Sequence, residues 1–174
     1  MAYSVVASTG INPVREMVFD ADDRLVSAGY ATVSGSNTNI VLTRHLPDGA
    51  PDPSFGQNGI VNTHVATSDT AFALDLLPDG RLLVCGGSGS SVLNPSPTMA
   101  RYLENGALDP TFGNGGVVAG FTGAPVARIT DVTVLSDGRF LAVMSSPTST
   151  RSDKPALFCF QSNGSLDTTF GSGG

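Results

Sequence analysis

One pattern is written three times along these 174 residues, in a nearly fixed register. Arg24, Arg81 and Arg139 are each followed 20 residues later by Arg44, Arg101 and Cys159, and 11 residues after that by Phe55, Phe112 and Phe170. The three segments align without a gap over this span, and successive leading arginines lie 57 and 58 residues apart. A repeat of that length is one supersecondary unit that hides its apolar face only against its neighbours. The chain is therefore read as a single repeat domain over residues 1–174, with repeats spanning roughly residues 1–58, 59–115 and 116–174.

Within each repeat the apolar residues keep the period of a strand. Met17 and Phe19, Leu74 and Leu76, and Val132 and Val134 sit two apart, so each pair points to one face. Asp79-Gly80 and Asp137-Gly138 then mark hairpin turns, where glycine accepts a positive φ; Asp22-Asp23 is a less ideal turn at the same place. The next strand, over residues 25–29, 82–86 and 140–144, is apolar or small on both faces, as a strand between stacked layers must be. A loop is expected over residues 30–39, 87–97 and 145–155, then a third strand ending at Arg44-His45, Arg101-Tyr102 and Cys159-Phe160. A second turn (Asp48-Gly49, Asn105-Gly106, Asn163-Gly164) leads to the motif D-x-[ST]-F-G-x-x-G, and a short fourth strand follows at residues 60–65 and 117–121. Four strands in a repeat of this length predict an all-β fold of propeller blades, three to the chain.

Composition narrows the function classes. With 21 glycines and 11 prolines, no stretch sustains a helical period without interruption. A net charge of −6, with no cluster of Lys and Arg, argues against a partner held by its phosphate backbone. No run approaches the roughly 20 apolar residues of a membrane span. The opening MAYSVVASTG lacks the basic and apolar regions of a Sec-type signal, which leaves the compartment open. Cys85 and Cys159 occupy different repeat positions inside apolar runs, and are read as buried free thiols rather than a disulfide or metal pair.

Asp52, Asp109 and Asp167 invite a catalytic or calcium-binding reading. Each stands two residues before a Ser or Thr, however, where its side chain closes an Asx-type turn, and recurrence in every repeat favours scaffold. Phe55, Phe112 and Phe170 are read as core plugs beneath those turns. Arg44 and Arg101 are expected to bond a carbonyl or an Asp between repeats. His45 stands in register with Tyr102 and Phe160 as an aromatic filler, and His64 has no companion at ligand spacing, so no metal is expected. No catalytic motif occurs and no cofactor is expected. The loops between second and third strands keep their length and change composition, so ligand-binding residues are sought there: Asn37, Asn39, Ser88, Asn94, Arg151, Asp153 and Lys154. These groups suit sugar hydroxyls or a protein partner, which makes a non-enzymatic binding or scaffold protein the preferred reading. A channel-centred saccharide hydrolase or lyase, and a passive structural module, are the alternatives.

The strings PDPSFGQNG, LDPTFGNGG and LDTTFGSGG, with the upstream DGR and RY, resemble the delta-sixty repeat of bacterial proteins. The resemblance covers essentially the whole chain; Asp23, Cys159 and Thr168 depart from it. It implies a β-propeller and use in secreted or cell-surface proteins, and says more of fold than of activity. Propellers close with four to eight blades, so three suggest half of a six-bladed ring completed by a second copy, with a nine-bladed trimer or a piece of a longer propeller as the alternatives. The rhythm continues across such a junction. Phe55 to Arg81 is 26 residues and Phe112 to Arg139 is 27, while Phe170 to Arg24 of a following chain is 28. Residues 3–9 align with the fourth strand at 60–65, and are expected to close the neighbour's third blade in Velcro fashion.

Overall fold

The computed structural model describes residues 14–93, 95–120, 127–145, 156–171 and 173–174. Among them are eleven strands and no helix. β1 (Val14–Phe19), β2 (Leu25–Ser34), β3 (Asn37–His45) and β4 (Ile60–Thr63) pair antiparallel in chain order. β5 (Ser68–Leu76), β6 (Leu82–Gly89), β7 (Pro95–Tyr102) and β8 (Val117–Ala119) repeat that unit. β9 (Arg128–Val134), β10 (Phe140–Ser145) and β11 (Ala156–Phe160) repeat its first three strands. One parallel pair, Thr38 with Ser68, ties the first unit to the second. Among the described residues no sheet closes on itself, and no helix is long and apolar enough to cross a membrane. The exchange expected of residues 3–9 lies outside the described residues.

The apolar faces are buried between units. Along β6, Leu82 and Val84 enter a core with Val26, Leu42, Phe55 and Tyr102. Leu83 and Cys85 point the other way, into a core with Met99, Phe112, Ile129 and Phe140. The middle unit is thus covered on both faces, which is why its second strand is apolar throughout. Cys85 and Cys159 are both buried and free, as expected, and burial pushes the Cys85 thiol above its ordinary range.

The first strand of every unit carries a β-bulge at one repeat position. Arg15 is the extra residue in β1, Phe72 in β5 and Thr130 in β9. A bulge turns its extra side chain away from the ladder and re-aims it. At the second bulge β5 presses on β6 so closely that a Cβ on Gly86 would lie 1.9 Å from the Thr70 carbonyl oxygen. Gly86→Ala is therefore expected to cost about 1–3 kcal/mol in urea unfolding, as overpacking does. An unchanged midpoint would show that the strands are not this close.

One local expectation is corrected. Residues 30–39 do not form a loop: β2 runs to Ser34 and β3 starts at Asn37, with only Gly35 and Ser36 between them. Thr32 faces Thr38 across that hairpin, a pairing that lets polar residues continue the ladder. In the first unit's other turn, Asp23 takes the left-handed conformation (φ 56°) that Gly80 and Gly138 hold elsewhere. Asp20 Oδ1 steadies it by accepting the amides of Asp22 and Arg24.

Candidate ligand-binding site

Antiparallel order sends the D-x-[ST]-F-G motifs to one end of the units. The starts of β1, β5 and β9, and the β2–β3 and β6–β7 connections, go to the other. The two ends differ in chemistry.

At the motif end Asp109 is a hub. Its Oδ1 accepts the Thr111 amide (3.0 Å) and hydroxyl (2.7 Å), and its Oδ2 accepts Arg101 Nε and Arg81 Nη1, both at 2.8 Å. Arg101 also donates to the Ser162 carbonyl of the third unit (2.5 Å) and lies 4.6 Å from the Phe112 ring centroid. The first unit repeats this with Asp52, Ser54 and Arg44, whose Nη1 donates to the Glu104 carbonyl at 2.6 Å. The Asx turns and the arginine bonds between units are those expected. In the third unit Asp167 holds Thr169 and Arg139, and Cys159 stands where the bridging arginine would be. Sequence reasoning used Arg81 and Arg139 only as register marks; they complete the charge balance of these buried carboxylates.

Burial pushes the Asp109 carboxyl upward, but Thr111 and the two arginines outweigh it and hold the group well below the carboxylate range. Asp52 is lowered likewise, burial being outweighed by Ser54 and Arg44. Thr169 and Arg139 draw Asp167 down to about 2. The charges of this end neutralise one another within each unit, and Arg44 and Arg101 also reach a carbonyl of the next.

At the opposite end the bulged residues of the first two units meet the start of the third around a cleft of about 450 Å³. Arg15 and Arg128 place their guanidinium carbons 5.1 and 4.7 Å from the Phe72 ring centroid. Arg15 Nη2 donates to the Tyr30 hydroxyl at 3.3 Å. Gly87 makes room here, since a Cβ on it would lie 2.7 Å from Pro95 Cβ and 3.2 Å from Arg128 Cβ. Val92 and Leu93 form an apolar wall, 43% and 71% exposed.

These two cations are unlike the other described arginines. Arg24, Arg44, Arg81, Arg101 and Arg139 each have a carboxylate within ion-pair distance. Arg15 and Arg128 have none among the described residues, and Arg128 Nε is buried without a hydrogen-bond acceptor.

Of the residues sought from the sequence, those described do not line this cleft. Asn37 is exposed at the head of β3, and the Asn39 side chain is engaged by Asn62 (2.6 Å) and His64 (3.1 Å). Ser88 is buried within β6 rather than presented on a loop. Asn94, Arg151, Asp153 and Lys154 fall outside the described residues. Phe55 and Phe112 are fully buried, whereas Phe170 is only half-buried. His64 is exposed beside Asp69, and among the described residues no three His, Cys, Asp or Glu side chains gather as metal ligands would.

A family model described as a domain of unknown function (DUF5122) beta-propeller matches residues 21–55, 77–112 and 148–170, more than half of the chain. Each matched segment ends at or on the phenylalanine of the repeat motif: Phe55, Phe112 and Phe170. No curated protein matches the chain.

Proposed function

We propose that this chain, which belongs to the DUF5122 β-propeller family, is a non-enzymatic binding or scaffold propeller that meets a ligand at its loop end. The observation that carries the reading is the contrast between its two ends. At the motif end the arginines and buried aspartates neutralise one another and join the units. At the loop end two arginines with no carboxylate partner among the described residues line a cleft built from all three units. Cation pairs left open in a cleft are recognition chemistry rather than scaffold. The cleft's described lining holds no carboxyl group, and glycoside hydrolysis uses such groups in pairs, so binding is favoured over turnover.

In this reading the three units are three blades of the delta-sixty kind, and a second copy completes the ring. Exposure supports it. Leu42, Met99 and Leu157 share one repeat position; the first two are fully buried against the next unit, and Leu157 is 50% exposed. On the opposite face Leu74 and Val132 are buried against the preceding unit, while Met17, their counterpart, is 58% exposed. The outer faces of the first and third units are thus the two halves of the junction already made twice inside the chain. An array of glycans and peptides, read beside a panel of chromogenic glycosides, tests the function. Specific binding without hydrolysis is expected; turnover of any glycoside would overturn it.

A further inference from the structure

The loop-end cleft also says what kind of ligand it takes, an inference that rests on the binding reading above. We propose that Arg15 and Arg128 form a site for a carboxylate carried on a small apolar body.

Three features lead there. The first is charge. Phe72 brings two guanidiniums within about a Debye length of each other, roughly 10 Å at 0.1 M salt, and no carboxylate of the described chain offsets them. In a protein of net charge −6 an uncompensated cation pair is a local exception, and an anion in the cleft they line relieves the repulsion. The second is hydrogen bonding. The Arg128 side chain donates to no acceptor among the described residues, and its Nε is buried, so an oxyanion that reaches its terminal nitrogens gains a charge-assisted bond. Arg15, held by the Tyr30 hydroxyl and by the Phe72 ring, lines the same cleft. The third is the wall. Val92 and Leu93 expose aliphatic surface beside the cations, which suits a hydrocarbon portion and gives a free inorganic anion nothing. A volume of about 450 Å³ fits a small molecule.

Hexanoate is the probe, titrated into the full chain while the arginine Nε–H resonances are followed by NMR. Saturable shifts of Arg128 and Arg15 are expected, with hexanamide and inorganic sulfate each binding about tenfold more weakly or worse, the loss of one charged hydrogen bond or of the apolar contact. Arg15→Gln and Arg128→Gln should each weaken hexanoate by a similar factor. Arg15 is exposed, so its variant keeps the fold and the comparison stands even if Arg128→Gln does not. Shifts from hexanamide equal to those from hexanoate would overturn the charge assignment, sulfate binding as well as hexanoate would overturn the apolar part, and silence from hexanoate would overturn the site. Array ligands that bind while hexanoate stays silent would remove this inference and leave the binding function standing.

Discussion

Truncating Phe112 to alanine is expected to lower stability by about 3–5 kcal/mol, the usual cost of emptying a fully buried aromatic position. Phe112 plugs the junction between the second and third units. Gly164 of the next unit's turn lies against its ring, and a Cβ there would come within 2.8 Å of it. Arg101 covers it from the other side. Phe55 makes the same junction with Gly106, one unit earlier. Phe170 holds the third copy of this position and is only half-buried among the described residues. In an isolated chain Phe170→Ala should therefore cost about half as much or less, in proportion to the apolar area it hides. In a ring the two losses should become alike. Urea unfolding of both variants, at protein concentrations on either side of assembly, measures the difference. Equal costs at every dilution would show that Phe170 is covered by something within its own chain.

Removing Asp109 is expected to be comparably severe. Asp109→Ala leaves Arg101, almost wholly buried, and the half-buried Arg81 without their shared carboxylate, and an uncompensated buried charge costs about 3–5 kcal/mol. Asp79 pairs with the same Arg81 but is half exposed, so Asp79→Ala should cost only about 0–1 kcal/mol. The pH dependence follows from the direction of the shift. Asp109 is lowered in the folded state, so its contribution is complete above the unfolded carboxylate value of about 4 and is lost as the pH falls toward the folded value. Asp167, drawn down to about 2, behaves alike. Wild-type stability should decline from about pH 4 downward, and the decline should be shallower in Asp109→Ala. A parallel acid profile in that variant would show that the carboxylate carries no such linkage.

The parts of the fold that recur were legible in the sequence, and for a physical reason. A side chain that fills a unit-to-unit junction must be supplied once per unit, so Phe55 and Phe112, and Arg44 and Arg101, announce themselves by their spacing. The buried middle strand showed itself in the unbroken apolar run around Leu82 and Cys85. The candidate site was not legible, because it depends on departures from the repeat. Two of its residues, Arg15 and Phe72, stand at a register point that holds Thr130 in the third unit, three unrelated side chains. A one-residue bulge aims them, and no spacing argument sees that irregularity. Arg128 belongs to a third unit and meets the other two only through tertiary packing. Residues 30–39 close as a hairpin rather than the expected loop because Ser, Thr and Asn look like loop residues, yet pair well across a hairpin when each meets a polar partner, as Thr32 meets Thr38.

Light scattering on the purified chain, over a range of concentrations, bears most directly on whether two copies complete the propeller. A ring of two requires twice the chain mass of 17.8 kDa, and Phe19→Glu, which puts a charge on the outer face of β1, should return it to the mass of one. A wild-type mass of 17.8 kDa at every concentration would contradict the ring, and would leave the exposed faces at Met17 and Leu157 without the partner assigned to them.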